Sequence, residues 1–162
     1  MIIRRAERND VPAMREIFNE VLRNSNSIYR EEEVSLEERY SWFDEKISHG
    51  FPIFGAYDGE KLIAYAGYGS WRAAQGYRKT VELTIYVDSA YRGSGVGSKL
   101  MQTVIDQAKN DGLHVMIGAI DSKNIDSINF HKKFGFVETA RMPEVALKHG
   151  QWLDLIFMQK QL

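Results

Sequence analysis

The chain contains no cysteine, which excludes disulfides, a thiolate nucleophile and cysteine-based metal centres, and fits a reducing compartment. Long apolar runs are also missing. None approaches the roughly 18 residues that a membrane-crossing helix needs, and Met1 to Phe18 carries acidic residues where a secretory leader would need an apolar core. Neither sign of charge dominates: 21 basic side chains stand against 22 acidic ones, for a formal net charge of -1, so nothing global draws the chain to nucleic acid or anionic lipid. The 4 histidines form no metal-type pair. These absences predict a cytoplasmic protein that uses no metal, no nucleic acid and no membrane. With 162 residues, 44% of them hydrophobic, and no repeat or low-complexity linker, the expectation is one domain spanning 1–162 around a substantial core.

What is present centres on Thr80 to Leu100. Val81, Leu83, Ile85 and Val87 alternate with Glu82, Thr84, Tyr86 and Asp88, the period of two that a strand imposes. Arg92, Gly93, Ser94, Gly95, Val96 and Gly97 follow. From Val96 the apolar residues recur at Leu100, Met101, Val104, Ile105 and Ala108, close to a helical repeat. A glycine-rich turn thus feeds the first turn of a helix, whose unpaired N–H groups and positive dipole end suit a phosphate. A tight turn alone would have the same glycines. Neither common nucleotide fingerprint is present, since no Gly-Lys-Ser/Thr ending and no amino-terminal dinucleotide motif occurs.

Taken in order, Ile2–Ile3 reads as a short strand, and Asn9 or Asp10 as the cap of a helix with Pro12 in its first turn. Residues 23–34 are a polar connection in which Tyr29 is either a hydrophobic staple or a contact. Ser35 with Glu38 forms a capping-box pattern for a second helix, which stops at His49-Gly50. A hairpin turns at Asp58-Gly59 and its second strand extends toward Trp71. Arg72 and Arg78 flank a loop before the central strand. They could grip an anion through paired hydrogen bonds or form surface ion pairs. Strand, helix and two strands complete the chain: His114–Ala119, a short helix around Ile128 and Phe134, Phe136–Arg141 and Gln151–Met158, with Lys148-His149-Gly150 in the last loop. The mixed α/β (α+β) pattern predicts a central sheet of about six to seven strands flanked by about four helices, unlike a regular βαβ repeat.

In the order Thr80–Val87, Arg92–Gly97, Asn124–Phe136 and Lys148–Asp154, these segments resemble the GCN5-related N-acetyltransferase (GNAT) superfamily, and within it the phosphinothricin and methionine sulfoximine/sulfone acetyltransferases. The resemblance implies acetyl-CoA as co-substrate. Its pantetheine arm would lie on the backbone of Ile85, Tyr86 and Val87, and its pyrophosphate on Arg92, Gly93, Ser94, Gly95, Val96, Gly97 and Ser98. Asn124, assisted by Ser127, would contact the cofactor near the next helix. Transfer to an amine needs a base, because most primary amines are protonated at neutral pH; the resemblance assigns it to Glu82, acting directly or through water.

His131 stands where many superfamily members have a tyrosine that protonates the departing thiolate, and it is either that acid or a cofactor-packing group. An oxyanion could be held by the backbone N–H near Tyr86 or Val87. The branch implies a small-molecule amine acceptor carrying a carboxylate and a polar tail, met by Arg72, Arg78, Trp71, Glu82 and the Lys148-His149 loop. It also implies a homodimer in which His149 reaches a neighbouring site. The alternatives are transfer to another amine (an antibiotic, a polyamine or a protein N-terminus), and a non-catalytic acyl-CoA-binding regulatory module.

Overall fold

A computed structural model of the chain describes residues 1–162. Its elements run β1 (Ile2–Arg5), α1 (Val11–Asn24), α2 (Leu36–Ser48), β2 (Ile53–Asp58), β3 (Lys61–Ser70), β4 (Thr80–Val87), α3 (Val96–Asn110), β5 (Val115–Asp121), α4 (Ile125–Lys133), β6 (Val137–Lys148) and β7 (Gln151–Gln161). All strands join one mixed sheet in the order β1-β2-β3-β4-β5-β7-β6. Every pairing is antiparallel except β4 with β5.

The alternation along the strands sorts side chains onto two faces. Val81 and Leu83 of β4 join Met116 and Ile120 of β5 against α3 and α4. The helix α3 buries Val96, Leu100, Met101, Val104, Ile105 and Ala108 on that face, each large side chain contributing about 1.5–3 kcal/mol. On the other face, α1 and α2 cover Ile53, Tyr57, Leu62 and Tyr65 with Met14, Ile17 and Phe43, and Tyr86 packs against this cluster. Ser35 caps α2, its side chain accepting from the Glu38 N–H at 3.1 Å. Asp10 precedes α1 but does not cap it through its side chain. Its carboxylate instead accepts from the Glu7 N–H at 2.8 Å and the Tyr57 hydroxyl at 2.6 Å, so the expected capping acid is spent on a contact with the sheet.

Of the boundaries that differ from the sequence expectation, two bear on the loops near the site. The strand β3 ends at Ser70, one residue before Trp71. The strand β6 runs on from Arg141 to Lys148 across a register shift between Met142 and Ala146, with Glu144 at φ 51. The irregularity is held by Asp154 of β7, whose carboxylate accepts from the Glu144 N–H at 2.8 Å and from Arg141 at 3.0 Å. Lys148 therefore ends a strand, and only His149 and Gly150 form the turn, at φ 48 and 73, the two-residue hairpin turn that needs positive φ at both positions.

One irregularity of the sheet positions everything that follows. The strands β4 and β5 share only the register pairs Thr80–Val115, Val81–Met116 and Glu82–Ile117. Beyond Glu82, β4 stays with β3 as far as Val87, while β5 stays with β7 as far as Asp121. The sheet splits between them into a fork.

Candidate active site

Within an antiparallel pair, alternate residues turn their N–H and C=O toward the partner strand. The Asp88 N–H donates to the Ile63 carbonyl at 2.9 Å, which fixes the phase: even-numbered residues of β4 bond to β3, and the odd-numbered Ile85 and Val87 turn their peptide groups into the fork. Of the three residues expected to present backbone there, Tyr86 does not. Its peptide serves β3, and its ring lies on the opposite face, 5.4 Å from both Phe18 and Tyr65.

Below the fork begins α3. The N–H groups of Gly93, Gly95, Val96, Gly97 and Ser98 find no acceptor within the chain. Gly93 and Gly95 sit at φ 76 and 85, and nothing lies within 4 Å of where a Cβ would project from either. Left-handed backbone turns these amides outward at little cost only for glycine. An open cradle of unpaired donors at a helix start is suited to a diphosphate, so the residues present fit the pyrophosphate of a CoA. The Arg92 side chain is turned to α1, pairing with Glu20 at 3.2 Å.

The β5 wall carries Gly118 and, over it, His131 of α4, which is 4% exposed. Two ring atoms, Cδ2 and Nε2, stand 3.0 Å from the position of a Cβ on Gly118, so this glycine makes room for the imidazole. Nδ1 lies 2.7 Å from the Ser127 carbonyl. A carbonyl only accepts, so Nδ1 holds the ring proton, and Nε2 is bare when the ring is neutral. Burial pulls the imidazole below its usual pKa, and the Ser127 contact opposes this. Asn124 caps α4 by accepting from the Ser127 N–H at 3.1 Å, and it donates to Ser27 at 3.2 Å. Both members of the Asn124–Ser127 pair are thus engaged in building the start of α4.

Glu82 stands at the branch point on the α1/α2 face. It makes no side-chain hydrogen bond or ion pair within the chain, and burial raises its carboxyl pKa while Lys46 of α2 lowers it. Arg72 and Arg78 do not pair with Glu82 and remain exposed. Arg72 lies 5.4 Å from the Trp71 ring, and Arg78 donates to the Gln75 carbonyl at 3.2 Å. Trp71 packs edge-on against Phe157 of β7 at 5.0 Å.

His149 projects from the β6–β7 turn with its side chain 66% exposed, 3.6 Å from Glu31. Lys148 does not close a pocket as expected: it is 2% exposed, and its ammonium donates to the carbonyls of Leu22, Ser25 and Ile28 at 3.0, 2.9 and 2.7 Å. Tyr29, on the segment so tied, donates to Asp121 at 2.6 Å.

Two further groups carry no signal in the sequence. Arg39 of α2 is 5% exposed, stacks 3.7 Å from the Trp42 ring and donates to the Tyr65 hydroxyl at 2.6 Å. Lys46, two helical turns on, lies on the same side of α2. Helical periodicity contains both, but as exposed charges they would look alike. No group of three or more His, Asp or Glu side chains is arranged to hold a metal ion.

Residues 11–136 match the model of the acetyltransferase (GNAT) family. The L-methionine sulfoximine/L-methionine sulfone acetyltransferase of Pseudomonas paraeruginosa is 43% identical over 161 residues, covering 99% of this chain and 94% of that protein. Among solved structures, the ribosomal-protein-alanine N-acetyltransferase of Brucella melitensis superposes with a TM-score of 0.97 at 38% identity, covering all of both chains. The yncA protein of Salmonella typhimurium, solved with its cofactor acetyl-CoA, gives 0.96 at 40% identity, covering 100% of this chain and 94% of that one.

Proposed function

The chain belongs to the acetyltransferase (GNAT) family, and from that premise we propose that it moves the acetyl group of acetyl-CoA to the α-amine of a small amino-acid-like acceptor of the methionine sulfoximine, methionine sulfone or phosphinothricin type. The observation that carries the reading is the fork: a length of unpaired strand edge, a cradle of free amides at one end and a half-buried carboxylate at the other.

The two faces divide the labour. The free amides of Gly93, Gly95, Val96, Gly97 and Ser98 receive the pyrophosphate on the α3 side. Ile85 and Val87 offer backbone groups to the amides of the pantetheine arm, as an added strand would, and bring the thioester up to Glu82. The acceptor enters from the α1/α2 face. Glu82 takes a proton from the ammonium, directly or through one water, and the free amine forms the new C–N bond as the C–S bond breaks. The second amine proton leaves as the thiolate is protonated, so the products are the amide, the free thiol and one proton. The Val87 N–H, turned into the fork, is the backbone donor available to the carbonyl oxygen. His131 keeps its proton against Ser127, and burial favours the neutral ring; we place it as a packing and hydrogen-bonding group of the β5 wall rather than as the resting acid. Arg72 and Arg78, free of carboxylate partners, supply guanidinium groups for the acceptor's anionic end. Met142, Val145, Leu147 and Trp152 leave an exposed apolar surface on β6–β7, which supports a homodimer.

A thiol-release assay tests the reading across methionine sulfoximine, methionine sulfone, phosphinothricin, a polyamine and a peptide with N-terminal alanine. The last acceptor is included because of the 38% identity to the Brucella melitensis structure. The amino-acid analogues should give the highest kcat/KM, and Glu82→Gln should lower it about 10²- to 10⁴-fold. Preference for the peptide would shift the acceptor class. Acetyl-CoA binding without turnover on any amine would reduce the protein to a binding module.

A further inference from the structure

Gly69 of β3 is the register partner of Glu82. Residues directly opposite in an antiparallel pair project to the same face, with Cβ atoms about 4.5–5.5 Å apart. Gly69 has no side chain, and the place where its Cβ would project is already occupied by the Lys46 Nζ. The ammonium of α2 therefore fills the cross-strand position facing Glu82, yet the two make no ion pair within 4.0 Å, and it acts through space. Lys46 also borders a cleft of about 250 Å³ shared with Gly69 and Ser70, which leaves the ammonium a path to water.

No other charge competes for Glu82. From β3 the neighbours of Gly69 are Tyr68 and Ser70, and from β5 those of the partner Ile117 are Met116 and Gly118. From β4 the nearby titratable group is Tyr86, its phenol pushed up by burial, and α1 contributes the uncharged Phe18. Burial pulls the Lys46 ammonium below its usual pKa and Glu82 opposes this, while Arg39 and Glu45 of α2 act on it in opposite senses.

We infer that Lys46 is a positioning residue for the acetyl transfer: seated in the gap left by Gly69, its ammonium holds Glu82 as a carboxylate in this half-buried site. A base must be a carboxylate before it can take a proton. Without a nearby cation, a buried carboxyl retains its proton to higher pH, and the base is lost on the acid side. The inference rests on reading Glu82 as the base, and its test separates the two claims.

The titration of Glu82 can be followed by NMR on protein labelled with ¹³C at the glutamate carboxyl, the resonance being assigned by its loss in Glu82→Gln. Lys46→Met should raise the Glu82 midpoint by about one pH unit, and Lys46→Arg should restore it. Gly69→Ala provides a variant that keeps the charge: its methyl displaces the flexible end of Lys46 and should shift the midpoint the same way. The acid limb of kcat/KM, measured on the best acceptor, should move by the same amount in each variant. A midpoint unchanged in both Lys46→Met and Gly69→Ala overturns the inference whatever the activity. A midpoint that rises while the acid limb stays fixed leaves the coupling standing and removes Glu82 as the base. Loss of kcat with neither midpoint nor limb displaced would make Lys46 merely structural and also overturns the inference.

Discussion

Replacing Lys148 by methionine keeps the length of the side chain and deletes its charge, and the structure indicates what that removes. Three carbonyls, from Leu22 at the end of α1 and from Ser25 and Ile28 beyond it, each lose a donor at 2.7–3.0 Å. Hydrogen bonds to a charged group contribute about 1.5–3 kcal/mol each, so the gross loss is about 4.5–9 kcal/mol. Against this, burying the ammonium itself costs several kcal/mol, consistent with the downward push that burial exerts on its pKa. The net destabilisation should be about 3 kcal/mol, which for a chain of this size lowers Tm by about 6–12 °C. Thermal unfolding followed by circular dichroism measures it. Hydrogen exchange should report loss of protection concentrated in residues 23–34, because the knot ties that segment to the end of β6. A fall of less than about 2 °C, with exchange unchanged, would refute the claim that the ammonium organises these carbonyls.

Two other perturbations have defined outcomes. Gly95→Ala forces a Cβ into left-handed backbone at φ 85 and should cost about 1–2 kcal/mol, while weakening acetyl-CoA severalfold in calorimetric titration; unaltered affinity would mean that the turn does not hold the pyrophosphate. Alkali should unfold the protein: burial raises the phenols of Tyr29, Tyr57, Tyr65 and Tyr68, and hydrogen bonds to Asp121, Asp10 and Asp111 raise three of them further. A phenol raised above its unfolded value stabilises the fold at neutral pH, and that contribution is lost as pH climbs past about 10. Tyrosinate absorbance and loss of circular dichroism should therefore rise together, and ionisation at an ordinary midpoint with the fold intact would contradict this.

Much of the architecture was legible because local rules and tertiary packing agree. The alternation of Val81, Leu83, Ile85 and Val87 defines β4 on its own, and the Ser35–Glu38 pattern defines the start of α2. The fold class of a mixed sheet with four helices followed from such segments. The far half of β6 was not legible: Pro143 and the exposed residues around it lack alternation, and what holds them is Asp154, ten or more positions away. Lys148 reads in sequence as a turn lysine beside His149-Gly150, and only the arrival of the end of α1 and the segment after it brings three carbonyls around it. The Lys46–Gly69–Glu82 arrangement is hidden for a related reason. Its members come from three elements, and the signal is a missing side chain, which a sequence records only as one more glycine in a strand. The glycines of residues 93–97 were legible as a turn feeding the start of α3 because that conformation is set locally.

The fork between β4 and β5 gives the molecule an edge strand in its middle. Unpaired strand edges attract other strands, and proteins usually shield them at the rim of a sheet. On the proposed reading, the unpaired length at Ile85 and Val87 cannot be shielded permanently, since the co-substrate would have to reach it. An occupant that caps this inner edge therefore also stabilises the fold, by an amount set by its concentration relative to its affinity. The supply of acetyl-CoA would then govern how long the protein stays folded as well as how fast it turns over.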